Sequence, residues 1–243
     1  MQTHTANYKV RVSDAGADGK LKLPALLQML QEIATEHAEI LKVDFDTLRP
    51  QGLGWALSKI AAEIEKLPRW GDRVEIETWA SDKDRIATYR EFTARDLNSG
   101  EPLFKARSQW LLFDFDKRRL ARTDRIDDFP RIAGKYAFDY DFSERPAAPS
   151  PDVPNAVACN AGICDIDLNG HVNNAVYMEW ALDALPDMPP AAAPAGFAVN
   201  FLEEVRPHAQ VLSFCEVRGG VSAHSIRAQS TGHECARVNI RWK

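Results

Sequence analysis

The stretch Asp167-Leu-Asn169-Gly-His171-Val-Asn173-Asn174 decides how this chain is interpreted, because it places an acid, amides and an imidazole directly before a helical pattern. Residues 175–185 follow it, carry Glu179 and Asp183 one turn apart, and end before Pro186. They are apolar on most of the helix circumference. The pattern therefore predicts a buried helix with one polar strip.

The start of this helix is a candidate site for negative charge. Asn173 or Asn174 suits the N-cap position. Backbone N–H groups and the positive end of the helix dipole favour an anion at a helix N-terminus. We therefore expect an oxyanion to be stabilised near Asn173 and Asn174, close to His171.

The spacing of these residues resembles a family signature. The pattern D-x-N-x-H-V-N-N-x-x-Y-x-x-W-x-L-[DE], filled by Asp167 through Asp183, is similar to that of the acyl-acyl-carrier-protein thioesterases of plants and bacteria. Trp70-Gly-Asp72 and Phe201-Leu-Glu-Glu-Val205 extend the resemblance. It implies an α+β fold, a double (tandem) hotdog in which each half is a central helix wrapped by an antiparallel β-sheet.

The resemblance also implies catalytic residues. By position, the family's Asp, Asn and His fall on Asp167, Asn169 and His171, and its downstream Glu falls on Glu204. A cysteine found after this Glu in many plant members is replaced by Val205, which argues against a thiol nucleophile. We expect Asp167 to orient its neighbours and Asn169 to position water or substrate. An imidazole exchanges protons near neutral pH, so His171 is the expected base, paired with Glu204 or sharing a water with it.

Two halves of the chain repeat one order of elements. A helical pattern, starting at Leu23 in the first half and at Asn174 in the second, precedes four extended segments in each. These segments lie near 55–65, 72–81, 86–97 and 102–116, and near 196–205, 210–218, 223–230 and 234–242. Four prolines within 142–154 cannot continue a helix or a central strand. We predict an N-terminal hotdog over 1–141, a linker over 142–154 and a C-terminal hotdog over 155–243.

Only the second half has a catalytic pattern before its helix. The first half has Asp18-Gly-Lys-Leu21 at the place of Asp167–Asn174, so we expect one active site per chain. The first half is then expected to supply the acyl pocket from its large apolar residues, although simple core packing is the favoured explanation for each of them. These residues are Met29, Leu30, Trp55, Trp79, Phe92 and Trp110.

Composition limits the function classes. The chain has 243 residues, a net charge of −5 and four cysteines without C-x-x-C spacing, which argues against nucleic-acid binding, a disulfide framework and a zinc site. No membrane span or signal peptide is recognisable, so we expect a cytoplasmic protein. Phosphate-loop, dinucleotide, serine-elbow and metalloprotease motifs are absent, so no cofactor or metal is expected.

The expected partner is an acyl carrier protein that bears the acyl-phosphopantetheine substrate. An acidic carrier requires a local basic patch. The densest candidate is Lys117-Arg118-Arg119 with Arg122 and Arg125, although a solvated turn explains the same charges. We expect a monomer or a homodimer, with the homodimer slightly favoured.

Hydrolysis of fatty acyl-acyl carrier protein to free fatty acid, by an activated water, is the expected reaction. An acyl-CoA thioesterase on the same fold and a non-catalytic acyl-binding hotdog protein are the alternatives. The retained Asp167, Asn169 and His171 count against a binding protein, which would not need all three. The sequence leaves the acyl chain length open.

Overall fold

A computed structural model describes residues 2–150, 152–153, 156–186 and 192–243. Its contacts divide the chain into two compact units, Met1–Tyr140 and Asp141–Lys243. Each unit contains a helix packed against an antiparallel sheet, which confirms the predicted α+β double hotdog.

The first unit begins with an edge strand and a long helix. Its elements are β1 (Thr3–Lys9), α1 (Leu23–Ile40), α2 (Phe45–Leu48), β2 (Leu53–Ile64), β3 (Arg73–Lys83), β4 (Ala87–Asp96), β5 (Pro102–Asp114) and β6 (Arg119–Leu120). The strands lie in the order β1-β3-β4-β5-β2, with β6 paired to β5. The four predicted strands are confirmed to within two residues at each end, whereas β1 was not predicted.

Helix α1 forms because its apolar residues recur every three or four positions. Pro24 lies in the first turn, where its missing N–H costs nothing. The buried stripe consists of Leu23, Leu26, Leu27, Leu30, Ile33 and Ala34, each at most 4% exposed. Burial of each leucine contributes about 1.5–3 kcal/mol, so packing of this stripe is what holds the helix in place.

The two faces of the first sheet have different partners. Arg90 of β4 faces α1, where its Nη1 lies 2.8 Å from His37 Nδ1. Successive strand residues point to opposite faces, so the neighbouring Glu91 faces away from α1. Its carboxylate is fully buried and accepts hydrogen bonds from Arg107 Nε at 2.9 Å and from the Ala137 N–H at 3.0 Å. The chain after β6 therefore covers the face of the first sheet that points away from α1, which we call the outer face.

Trp79 belongs to the outer face. Its Nε1 donates to the carbonyl oxygen of Lys135 at 2.9 Å, and the ammonium of Lys135 lies 4.1 Å from the ring centre. Trp79 thus packs beneath the segment after β6. Side chains alternate along a strand, so Trp79 lies on the face that points away from α1, and its expected part in an acyl pocket stays a prediction.

The second unit repeats the topology of the first. Its elements are β7 (Ala156–Asn160), α3 (Asn174–Asp183), β8 (Pro194–Phe201), β9 (Gln210–Arg218), β10 (Val221–Ala228) and β11 (Glu234–Trp242). The order β7-β9-β10-β11-β8 matches that of the first sheet strand for strand. Strand β8 ends at Phe201, four residues before its predicted end. The N–H groups of Leu202 and Glu203 both donate to the Cys235 carbonyl, which takes the following residues out of the ladder.

Part of the predicted linker hydrogen-bonds to the second unit. The Ala147 N–H donates to Asn239 Oδ1 at 2.7 Å, and the Ser150 N–H donates to Glu216 Oε2 at 2.8 Å. Residues 151, 154 and 155, which include the predicted end of the linker and the predicted start of the C-terminal hotdog, lie outside the described residues.

Candidate active site

The motif forms a tight loop between β7 and α3. The N–H of Asp167 donates to the carbonyl of His171 at 2.8 Å, and the N–H of Gly170 donates to the carbonyl of Asp167 at 3.0 Å. Gly170 has a φ of 78°, a region that glycine enters without strain. Main-chain hydrogen bonds and one glycine therefore set the shape of the loop.

The carboxylate of Asp167 organises the loop from within. Its Oδ1 accepts the N–H of Asn169 at 2.8 Å and the N–H of His171 at 3.3 Å. Its Oδ2 lies 3.5 Å from Nδ2 of Asn169. The structure thus brings these three predicted site residues together, with Asp167 in contact with the other two.

Glu204 reaches the same loop from the segment that follows β8. The Nε2 of His171 lies 3.1 Å from Oε2 of Glu204, and the two side chains are 33% and 64% exposed. The N–H of Val172 donates to the carbonyl of Val205 at 3.2 Å and ties the two segments together. The imidazole and the carboxylate therefore form a contact pair that remains accessible from solvent.

The start of α3 is capped from within the loop. Asn173 is the N-cap, as predicted: its Oδ1 accepts the N–H of Ala175 at 2.9 Å and its carbonyl accepts that of Val176 at 3.0 Å. The N–H of Asn173 itself donates to the carbonyl of Asp165 at 2.8 Å. These three N–H groups already have acceptors, so the expected oxyanion site near Asn173 and Asn174 needs other donors and stays a prediction. Asn174 is the first residue of α3.

Two neighbours of the site had no role in the sequence interpretation. Tyr177, although part of the motif, contacts the segment that bears Glu204. His233 lies at the end of the β10–β11 turn and pairs with Glu203, with Nδ1 and Oε2 3.2 Å apart. The tyrosine is visible in the motif itself, whereas the histidine becomes a neighbour only through the fold.

The basic residues considered as a docking patch are largely paired with nearby acids. Lys117 and Arg125 both contact Asp114, and Arg122 pairs with Asp124 at 2.5 Å. Within the described ranges, no cluster of three or more His, Cys, Asp or Glu side chains is placed to ligate a metal. None of the helices in the same ranges is long and apolar enough to cross a membrane.

Comparison with known solved structures identifies the fold. An acyl-ACP thioesterase from Bacteroides thetaiotaomicron superimposes with a TM-score of 0.88 at 21% identity, covering 99% of this chain and 98% of that one. The 12:0-ACP thioesterase from Umbellularia californica gives 0.83 at 23% identity, covering 99% and 97%.

Comparison of sequences identifies the family. Oleoyl-acyl carrier protein thioesterase 2 of Arabidopsis thaliana is 30% identical over 76% of this chain and 54% of its own length, so the chain spans about half the length of the curated relatives it matches. Dodecanoyl-[acyl-carrier-protein] hydrolase of Cinnamomum camphora is 25% identical over 97% of this chain and 66% of its own length. The profile of the acyl-ACP thioesterase N-terminal domain matches residues 1–128, and that of the C-terminal domain matches residues 154–243. The chain belongs to the acyl-ACP thioesterase family.

Proposed function

We propose that this protein hydrolyses the thioester of fatty acyl-acyl carrier protein and releases the free fatty acid. The contact of 3.1 Å between His171 and Glu204, beside a loop organised by Asp167, carries the proposal. An imidazole that accepts a proton as a general base becomes positively charged, and an adjacent carboxylate stabilises that charge during the reaction. Family membership supports an acyl thioester as the substrate.

The reaction needs a base and a site for the oxyanion. His171 accepts a proton from water as the water oxygen bonds to the thioester carbonyl carbon, and Glu204 stabilises the resulting imidazolium. The tetrahedral intermediate then collapses, the C–S bond breaks, and the imidazolium returns its proton to the departing thiolate. The products are the carboxylic acid and the thiol of the carrier. No cofactor enters this sequence of steps.

The oxyanion requires a donor other than the N–H groups used by the cap. Asn169 is exposed at the loop tip, and its Nδ2 lies at a long distance of 3.5 Å from Oδ2 of Asp167. We assign Asn169 to bind the developing oxyanion or the attacking water. Asn174, at the start of α3, lies where the helix dipole supports the same charge.

The acyl chain length stays open in this proposal. The names of the relatives include dodecanoyl and oleoyl carrier-protein thioesterases, so family membership does not select one length. The carrier protein is the proposed partner, while a homodimer and a cytoplasmic location stay predictions. Analytical ultracentrifugation and cell fractionation test these two.

The direct test is thiol release from acyl-carrier-protein and acyl-CoA thioesters of increasing chain length. The wild-type protein is compared with His171→Ala and with His233→Ala, a matched control because His233 is a nearby exposed histidine that also pairs with a glutamate. We expect the first substitution to lower kcat by about 100-fold or more and the second to change it by less than about threefold.

Each outcome has a distinct meaning. A preference for carrier-linked substrates that is lost in His171→Ala supports the proposal and supplies the chain length. Equal or better turnover of CoA thioesters would replace it with an acyl-CoA thioesterase. A folded wild-type protein without turnover on any chain would leave only acyl binding.

A further inference from the structure

Tyr177 holds the two peptide groups that flank Glu204. Its hydroxyl donates to the carbonyl of Glu203 at 3.4 Å and accepts the N–H of Val205 at 3.0 Å. Tyr177 is 3% exposed and Val205 is also 3% exposed, so both groups of the second bond are shielded from water. One side chain of α3 thus fixes the main chain immediately before and immediately after Glu204.

The ring of Tyr177 is itself fixed by packing. It lies edge-on to Phe201, with centroids 5.5 Å apart, and tilted against Trp180 at 5.3 Å. Burial raises the pKa of Tyr177 well above its ordinary value, so the hydroxyl keeps its proton and its ability to donate. The hydroxyl is therefore a neutral hydrogen-bonding group whose ring is held by packing.

The carboxylate of Glu204 has no comparable support of its own. Its side chain is 64% exposed, so packing does not restrict its rotamers. The position of the carboxylate relative to His171 consequently depends on the main chain from which it projects. The Tyr177 contacts therefore act together with the Val172–Val205 hydrogen bond in holding the segment from which Glu204 projects.

The first unit shows that the fold does not require these bonds. The N–H of Leu21 donates to the carbonyl of Pro68 at 2.8 Å, as the N–H of Val172 donates to that of Val205 in the second unit. In this alignment of the two loops, Leu26 of α1 takes the place of Tyr177. Leu26 has no hydroxyl, and Pro68 has no N–H to donate. Among the residues that the structure describes, the bond between a helix hydroxyl and this segment occurs in the unit that contains His171 and not at the equivalent place in the first unit.

We infer that Tyr177 is a positioning residue that holds Glu204 in contact with His171. The inference rests on the proposed function, in which Glu204 and His171 act together. Without the hydroxyl, the buried N–H of Val205 loses its acceptor, and the segment relaxes so that another group can satisfy it. Glu204 then moves away from the imidazole, while the substrate-binding surfaces stay in place.

The test begins with Tyr177→Phe, which removes only the hydroxyl. We expect kcat to fall by about 10- to 100-fold and KM to stay within about twofold of wild type. The matched control is Trp242→Phe, which removes another hydrogen bond of the second unit, from Trp242 Nε1 to Ser222 Oγ at 2.9 Å. The control should lower the Tm to a similar extent and leave kcat near the wild-type value.

A double-mutant cycle with Glu204→Gln separates positioning from general destabilisation. If Tyr177 acts through Glu204, adding Tyr177→Phe to the Glu204→Gln background lowers kcat by less than about threefold further. Val205→Pro places a proline where the first unit has Pro68 and so removes the N–H that donates to the Tyr177 hydroxyl. This variant tests the same hydrogen bond if Tyr177→Phe does not fold. It should reproduce the loss of kcat without adding to that of Tyr177→Phe.

The outcomes distinguish this inference from the proposed function. One outcome would overturn the positioning role of Tyr177 and leave the proposed function intact. In that outcome Glu204→Gln loses activity, and adding Tyr177→Phe to it lowers kcat by the same factor as in the wild-type protein. Unchanged kcat in a folded Tyr177→Phe protein would also overturn the positioning role. Full activity of Glu204→Gln would overturn the role of Glu204 in the proposed function, and this inference with it.

Discussion

Lys20 occupies in the first unit the position that His171 occupies in the second. The carbonyl oxygen of each accepts the N–H of the residue four positions earlier, Gly16 or Asp167, at 2.8 Å in both loops. The same main-chain turn therefore presents an ammonium group in one unit and an imidazole in the other. The shape of the loop and the identity of the side chain that it presents are therefore separable in this chain. Substitutions can change one without the other.

The glycine before each of these residues provides a matched pair of tests. Gly170 and Gly19 have φ values of 78° and 75°, where a side chain is strained. An added Cβ would meet no atom within 4 Å at Gly170 and only the end of Arg69, at 3.9 Å, at Gly19. We expect Gly170→Ala and Gly19→Ala each to lower the unfolding free energy by about 1–2 kcal/mol, because the backbone cost is the same.

The kcat for thioester hydrolysis should distinguish the two alanine variants. Gly170→Ala shifts His171 relative to Glu204 and should lower kcat by about tenfold or more, whereas Gly19→Ala should retain it. Urea denaturation and thiol-release assays on both proteins make the comparison. Equal losses of activity would mean that the first loop also takes part in catalysis.

Substitution of each of the two adjacent glutamates, Glu203 and Glu204, should show that their roles differ. Glu204→Gln is the first of these variants. It keeps the size of the side chain but removes the charge that stabilises the imidazolium of His171, so we expect kcat to fall by about 100-fold. Glu203→Gln alters only the pair with His233 and keeps the carbonyl that Tyr177 contacts, so its kcat should stay near wild type. Steady-state kinetics of both variants decides this, and equal effects would contradict the assignment of Glu204.

His224 should make the protein less stable in acid. It is fully buried in β10, and burial lowers its pKa from 6.5 to about 4. Between these values the unfolded chain binds a proton that the folded protein does not, so stability is lost as the pH falls through this window. The loss is about 3 kcal/mol when the folded pKa is reached.

His224→Gln removes this titration. The unfolding free energy of the variant, measured in urea from neutral pH to about pH 4, should depend less on pH than that of wild type. Ser222 Oγ, 2.9 Å from Nε2 of His224, gives the new amide a partner. Parallel pH profiles for the two proteins would assign the acid sensitivity to other groups.

The buried pair of Glu91 and Arg107 should contribute far more than a surface pair. Arg107→Met leaves the fully buried carboxylate without its cation, and we expect a loss of about 3–5 kcal/mol. Lys66→Met breaks the exposed pair with Glu101, at 3.2 Å and more than 60% exposure on both sides, and should cost less than about 1 kcal/mol. Chemical denaturation compares them. Similar losses would show that Glu91 is satisfied by its other donors.

The sequence predicted the elements whose pattern is strong and missed those whose pattern is weak. Helix α1 and strands β2–β5 have long apolar patterns, and the start of α1 and the bounds of the four strands are nearly correct. Strand β1 reads Thr-His-Thr-Ala-Asn-Tyr-Lys, a polar edge strand with only partial burial, and β7 has five residues, so periodicity could not mark them. Edge strands depend on their neighbour in the sheet, which a local pattern does not contain.

The same distinction holds at the site. The motif placed Asp167, Asn169 and His171 in one loop, because their order along the chain already makes them neighbours. The use of the Asn173 N–H by Asp165 was not foreseeable, since a carbonyl oxygen carries no sequence signal. The early end of β8 depends on the Cys235 carbonyl, which comes from a strand more than thirty residues away.

The covering of the first sheet by the chain after β6 sets a limit on where the protein can be cut. The matched N-terminal profile ends at residue 128, yet the groups that cap Glu91 and Trp79 come from Ala137 and Lys135. A fragment trimmed at the profile boundary would remove one donor of Glu91 and the acceptor of the Trp79 indole and would expose this sheet face to solvent, which invites aggregation. An independently stable first unit therefore has to extend through Tyr140.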